Sequence, residues 1–198
     1  MTQTIAIGDV HGCYSLLLDT VEPYVGSSNE LIILGDLFDR SPESDGDLNV
    51  LEFVRDMNEH PDAYGLSNVE CLMGNHELIL LAALEGDVDC WIMNGGNVDF
   101  GVHLIENPSH IEWLKARPSY AIRDNYLLVH AGVRPNVPID KQESFDLAWL
   151  REDPYIPHNL PYTIIHGHTI HEDITHYPDR IAIDTGAFYT GKLSAYAL

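Results

Sequence analysis

The architecture is decided by the stretch Thr4-Ile5-Ala6-Ile7-Gly8-Asp9-Val10-His11-Gly12. A short apolar run, Thr4–Ile7, stops at a glycine and gives way to side chains that bind protons or cations. Short apolar runs bounded by glycine read as buried strands. The pattern recurs along the chain. Leu31–Leu34 ends in Gly35-Asp36-Leu37-Phe38-Asp39-Arg40, and Val69–Met73 ends in Gly74-Asn75-His76-Glu77. Tyr126–Val129 ends in His130-Ala131-Gly132, and Thr163–Ile165 ends in His166-Gly167-His168.

Between the early strands, Ser15–Glu22 and Leu48–His60 have helical spacing, and Glu77–Leu84 reads as a short apolar helix. Alternating strands and helices predict an α/β domain with crossovers. In such folds ligands collect beyond the carboxyl ends of the strands, so five polar clusters at strand ends predict one shared site. The second half reads differently. Ser119–Ile122, Tyr126–Val129, Thr163–Ile165, Ile181–Ile183 and Leu193–Ala197 are expected strands with fewer helices between them. They predict a second, partly antiparallel sheet packed on the first. Ser41–Gly46 and Asp153–Pro161 read as loops rather than boundaries, so residues 1–198 are expected to form one domain.

Composition narrows the function classes. The chain has 198 residues, 45% of them hydrophobic, which suffices for a real core. No apolar run approaches the ~20 residues of a membrane span. The opening residues lack a basic start, an apolar stretch and a cleavage site, so no secretory signal is expected. Cys13, Cys71 and Cys90 have neither zinc-ligand nor redox spacing and are expected to be free thiols in a reducing cytoplasm. With 31 acidic and 10 basic residues, the formal charge is -21. Such a surface offers no basic stripe to nucleic acid. It suits either solubility or a high-salt environment, and it is compatible with phosphate chemistry where bound cations reverse the local sign.

Asp9 and His11 stand at i and i+2, and on an extended segment their side chains share a face. A carboxylate and an imidazole there can grip one cation, although Gly-Asp at a strand end is also ordinary turn chemistry. Asp36, Asn75, His130 and His168 extend the set. Carboxylate, amide oxygen and imidazole suit Mn²⁺, Fe²⁺ or Zn²⁺, and the lack of a thiolate argues against a closed structural zinc site. Two metals ~3.5–4 Å apart need a bridging carboxylate, and Asp36 lies between the two ligand sets.

GDVHG, GDLFDR, GNHE, HAG and GHT, in that order, resemble the phosphoprotein phosphatase branch of the calcineurin-like metallophosphoesterases, nearest to compact bacterial and lambda-phage protein phosphatases. HAGVRPNVP, DLAWLRE and IDTGAF extend the likeness over the whole chain. The resemblance implies two central mixed β-sheets sandwiched between helices. It implies that Asp9, His11 and Asp36 hold one metal, and that Asp36, Asn75, His130 and His168 hold the other. Mn²⁺ is the first expectation, with Fe²⁺, Zn²⁺ or Ni²⁺ as others. It further implies that His76, paired with Asp39, gives a proton to the leaving group. Arg40 and Arg151 would bind phosphate oxygens. A hydroxide shared by the metals would attack phosphorus in line. The partner would be a phosphorylated protein, on serine, threonine or tyrosine, or a small phosphomonoester. A monomer is expected, with no nucleic acid and no membrane. The alternative substrate within the superfamily is a dinucleoside polyphosphate such as diadenosine tetraphosphate. The alternative of another class is a catalytically dead binding module. The scarcity of cations (lysine only at 115, 141 and 192) favours a single phosphate over a polyphosphate.

Some features depart from the pattern or stand aside. Ile170 occupies the place where phosphodiesterase-type relatives carry a further histidine, and His171 comes one residue late. Ser41 stands where glycine is common. Gly186–Lys192 mimics a P-loop, but Leu193 follows the lysine and a strand is expected next. His60, His103, His110, His158 and His176 are expected to be solvated. His166 reads equally as structural or as a support to His168. Asn94-Gly95-Gly96 reads as a turn or as a family motif near the site. Cys13, Trp91, Trp113 and Trp149 are expected to pack.

Overall fold

A computed structural model describes residues 2–151 and 153–198. The first sheet is built by β1 (Thr4–Ile7), β2 (Glu30–Ile33) and β3 (Asn68–Cys71), which run parallel, with β9 (Ala195–Ala197) antiparallel on β1. The crossovers are α1 (Tyr14–Val21) and α2 (Gly46–Glu59). The second sheet takes β4 (Tyr120–Arg123), β5 (Tyr126–Val129), β6 (Thr163–His166), β8 (Arg180–Ala182) and β7 (Thr175–His176) in that spatial order. Its inner pairs β5–β6 and β6–β8 are parallel, and both edges are antiparallel.

Period-two alternation sorts the core into layers. Ala6, Ile32, Leu34 and Leu72 point between the sheets and meet Ala121, Leu128, Ile165 and Ile183 from the other side. Ile5, Ile7, Leu31, Ile33 and Val69 point outward beneath the helices. Leu127, Val129 and Ile164 cover the outer face of the second sheet with Val133 and Leu147. The result is two mixed sheets between helical layers, as expected.

Two elements differ from the sequence reading. The last strand belongs to the first sheet, not the second: Ala6 pairs with Tyr196, which brings the chain back beside its own beginning. Helices also fill the stretch after α3 (Asn75–Leu84), namely α4 (Val88–Met93), α5 (Val98–Glu106) and α6 (Pro108–Lys115), and α7 (Ser144–Trp149) follows β5. Each is too short for periodicity to stand out, and local signals mark the starts of only α5 and α6. The Asn97 side chain accepts from the N–H groups of Asp99 and Phe100, and Pro108 opens α6, where its missing N–H costs nothing.

His158 is a further correction. It is 1% exposed rather than solvated, because its backbone N–H donates to the Asp179 carboxylate and its Nδ1 accepts from the Leu160 N–H. His60 and His176 are exposed, while His103 and His110 are half-buried. Cys13 and Cys71 are buried free thiols and Cys90 is exposed. Among the described residues no helix is long and apolar enough to cross a membrane.

One polar clamp ties the two sheets. Arg123 on β4 donates through Nε and Nη2 to Glu30 on β2, at 2.7 and 2.6 Å, and through Nη2 to Glu70 on β3 at 2.9 Å. Burial acts to raise the Glu30 pKa, but the hydrogen bonds from Arg123 and Asn68 outweigh it and hold it below its ordinary value. A carboxylate whose folded pKa is depressed contributes stability above its unfolded pKa and loses it as pH falls through the folded one. Arg123→Ala is therefore expected to lower unfolding free energy by about 1 kcal/mol at pH 7. The gap from wild type should shrink as the pH is lowered through the carboxylate range. Urea denaturation across that range checks both, and a gap that grows toward acid would refute the assignment.

Candidate metal centre

Every polar cluster sits beyond the carboxyl end of its strand, and hydrogen bonds knit the loops into one floor. The N–H groups of Val10 and His11 donate to the Asp36 carbonyl, and Gly12 donates to Leu37. Gly167 donates to the carbonyl of His130. The backbone is bent tightly there: His11, Asp36, Asp39, Arg40 and His168 all have positive φ, between 47° and 67°. Side-chain-bearing residues in that region store strain of roughly 1–3 kcal/mol each, and such strain clusters at functional sites.

Two glycines allow the carboxylates to approach. A Cβ on Gly74 would lie 2.3 Å from Asp36 Oδ1, and one on Gly167 would lie 2.0 Å from Asp9 Oδ1. Any side chain at either position would push a carboxylate out of the floor.

The buried carboxylate of Asp36 stands at the centre. His11 Nε2 is 3.6 Å from its Oδ2 and His130 Nε2 is 3.4 Å away, while the His76 N–H donates to Oδ1 at 2.9 Å. In this floor two sets of groups among the described residues have ligand atoms within 4.8 Å of one another: His11, Asp36 and His76, and Asp36, His130 and His168. Asp36 belongs to both. Asp9 takes a different place, with its Oδ2 accepting the His168 N–H at 2.9 Å. Asn75 Oδ1 lies 2.9 Å from His130 Nε2. The histidine rings are fixed from behind: Nδ1 of His11 donates to the Phe38 carbonyl and Nδ1 of His130 to that of Leu34, each at 3.0 Å. Both Nε2 atoms are thereby turned toward Asp36, an arrangement typical of metal-binding histidines.

The donor set fits cations. Asp9 Oδ1, His76 Nε2 and His168 Nε2 are buried with no hydrogen-bond partner among the described residues, although buried polar groups are almost always satisfied. Charge gives the same result. Burial, Asp184 and Asp36 together raise the Asp9 carboxyl well above its ordinary value. Burial acts to raise Asp36, but His130 and His76 outweigh it and hold Asp36 well below. Burial disfavours charge on His130, yet Asp36 and Asp9 push it up to about 10. Burial, His130 and Arg151 push His168 down to about 3, and burial pushes His11 to about 4, leaving neutral imidazoles able to coordinate.

Around this floor the second group of expected residues assembles. His76 Nδ1 is 2.7 Å from Asp39 Oδ2, and Trp91 Nε1 donates to Asp39 Oδ1 at 2.8 Å. Trp91 thus does more than pack. Arg40 is held by its backbone N–H to the Gly95 carbonyl and by Nε to that of Asn94, with its guanidinium carbon 5.3 Å from the centre of the Phe188 ring. Asn94-Gly95-Gly96 is therefore the seat of Arg40, beside the site. Arg40 and the exposed Arg151 border the same cleft of about 370 Å³ as His11, Asp36, His76 and His168.

Two residues escaped the sequence reading. Asp184 lies in the cleft wall, inside the IDTGAF stretch but without a paired ligand nearby in sequence. Glu77 is the anchor of the floor. Its carboxylate accepts from the N–H groups of Asp36, Leu37 and Gly74 at 2.9, 2.9 and 2.8 Å. A glutamate three residues after the residue preceding a helix is the capping-box spacing, and that signal was available.

Residues 2–192 match the calcineurin-like phosphoesterases, and the chain belongs to that family. Membership of this metallophosphoesterase family agrees with the clustered aspartate and histidine side chains, which are candidates to hold divalent metals. A symmetrical bis(5'-nucleosyl)-tetraphosphatase of Nitrosospira multiformis is 30% identical over 144 residues, covering 70% of this chain and 46% of the relative. The chain thus spans about half the length of the tetraphosphatases it matches. Serine/threonine-protein phosphatase 2 of Salmonella typhimurium is 31% identical over 212 residues, covering 97% of this chain and 91% of that one. In fold, the crystal structure of a putative diadenosine tetraphosphatase superposes with a TM-score of 0.70 at 21% identity, covering 100% and 89% of the two chains.

Glu77→Gln keeps size but turns one acceptor into a donor facing backbone N–H groups. Unfolding free energy should fall by about 1–3 kcal/mol, the cost of a buried unsatisfied donor. Chemical denaturation reads this, and unchanged stability would remove Glu77 as the anchor of the Asp36 turn.

Proposed function

We propose that the protein is a metal-dependent hydrolase of nucleotide polyphosphates, with dinucleoside polyphosphates as the substrate class. The observation that carries this reading is the shape of the cleft. Beyond Arg151 and Thr169 it adjoins a second cavity, which those two residues also line. A ligand longer than one phosphate can therefore lie across Arg151. Several relatives named symmetrical tetraphosphatases support the same substrate. This reverses the order expected from the sequence, where the scarcity of lysine favoured a single phosphate. That argument weighed the whole surface, whereas Arg40 and Arg151 stand together at the cleft.

Asp9, His11, Asp36, Asn75, His130 and His168 would hold two divalent cations, with Mn²⁺ the first choice for this donor set. Bound there, such cations would acidify water and offset the charge of the phosphate. Arg40 presents a planar fork to the phosphate oxygens from a fixed seat, and Arg151 closes on them from the far wall. Asp39 orients His76 through Nδ1, and Nε2 is the atom from which a proton would reach the leaving oxygen.

That dyad favours a second reading, a protein phosphatase. A serine or threonine alkoxide needs a proton in order to leave, whereas a nucleotide phosphate leaves as a weak base. The Salmonella relative, aligned along nearly its whole length, supports this alternative.

A substrate panel on Mn²⁺-loaded protein decides between them. Diadenosine tetraphosphate is expected to exceed phosphoserine and phosphotyrosine peptides in kcat/KM by about tenfold or more, a difference of ~1.4 kcal/mol in transition-state binding. Peptides turned over equally well or better would make the protein phosphatase reading the right one. His76→Asn should lower turnover of alkyl phosphates by ~10²–10⁴-fold. Aryl phosphates with acidic leaving groups should lose far less. An equal loss across leaving groups would assign His76 to binding instead.

A further inference from the structure

The second cavity measures about 190 Å³, below the roughly 300 Å³ of a site for a drug-sized ligand. It has room for one ring system and not for a whole dinucleotide. Leu150, Pro154 and Ala131 supply apolar wall, and the half-buried rings of His171 and Tyr177 supply aromatic wall. That wall is held in place: His171 Nδ1 donates to the Thr169 carbonyl at 2.7 Å, and its Nε2 lies 2.9 Å from the Tyr177 hydroxyl. Arg180, 4% exposed, is fixed by the Asp179 carboxylate and the Ile156 carbonyl.

His166 lines the same cavity and is 8% exposed. Its Nδ1 lies 3.1 Å from the Gly167 carbonyl and donates to it. Nε2 is thereby left as an acceptor, and it is buried without a hydrogen-bond partner among the described residues. A partnerless acceptor beside apolar and aromatic walls selects a flat or cyclic group carrying N–H or O–H donors. Arg151, shared with the catalytic cleft, sets a cation between that group and the attacked phosphorus. Ring, donor and phosphate in that order describe a nucleoside 5'-phosphate.

We propose that this cavity is a nucleoside subsite, in which His166 Nε2 accepts from the base or ribose, His171 and Tyr177 wall the ring, and Arg151 holds the adjoining phosphate. The assignment rests on the nucleotide reading of the site, but its test does not require turnover.

Isothermal titration of the Mn²⁺-loaded full chain with AMP and, separately, with inorganic phosphate reads the nucleoside contribution as a ratio of dissociation constants. AMP is expected to bind about tenfold more tightly than phosphate. His166→Phe and Tyr177→Ala should each reduce that ratio to near unity, and the ratio cancels any general damage to the metal floor. Should His166→Phe fail to fold, Tyr177→Ala carries the test alone. Equal binding of AMP and phosphate by the wild type, or an AMP preference that survives in both variants, would overturn the subsite. If AMP preference is present and lost as expected while diadenosine tetraphosphate is not cleaved, the subsite stands and the dinucleoside polyphosphate reading falls.

Discussion

A single buried carboxylate organises this molecule. Asp36 is 2% exposed, stands within reach of histidines from the ends of β1 and β5, and accepts the backbone N–H of His76 after β3. Its own carbonyl receives the N–H groups of Val10 and His11. Few residues could occupy such a place. The backbone is left-handed, which aspartate tolerates better than most, and the neighbouring Gly74 must lack a Cβ. A carboxylate this deep has to be paired, and the imidazoles around it provide that pairing. Glu77 holds the turn from beneath, where three N–H donors favour its ionised form against burial and the Asp36 charge, which raise its pKa.

The rest of the fold exists around that constraint. Parallel strands bring their carboxyl ends to one edge, and the second sheet delivers His130 and His168 to the same edge from the opposite side. The apolar layer between the sheets sets the distance across which Asp36 faces His130. Strain in the five left-handed residues is balanced by the loop-to-loop hydrogen bonds and by burial in that core. Acidity of the outer surface and crowding of acids in the floor are separate matters. The surface charge is solvated, while the buried Asp9 and Asp184 oppose each other and Asp36 at close range. That local excess of negative charge is the physical reason this edge can hold cations.

Much of this was legible in the sequence because chemistry and geometry share one punctuation. Each apolar run that ended at glycine became a strand, and each polar cluster after it reached the site, because strand ends in an α/β fold converge. The helices α4 to α7 were not legible in the same way, since six to nine residues cannot display a helical period clearly. The placement of β9 beside β1 depends on long-range pairing that local pattern does not encode. His158 was misjudged because its burial comes from Asp179, 21 residues away. Glu77 was readable as a capping glutamate but was hidden by the apolar helix it opens. The cavity past Arg151 was beyond sequence reasoning, because its walls come from the segments around residues 131, 150, 166 and 177.

The central claim is that Asp36 is shared by two cation sites. Metal content by mass spectrometry, after loading with Mn²⁺ and removal of excess, tests it most directly. The wild-type chain is expected to retain about two equivalents, and Asp36→Asn is expected to lose both while circular dichroism shows the fold retained. A wild type that holds a single equivalent, or an Asp36→Asn chain that keeps two, would contradict the account.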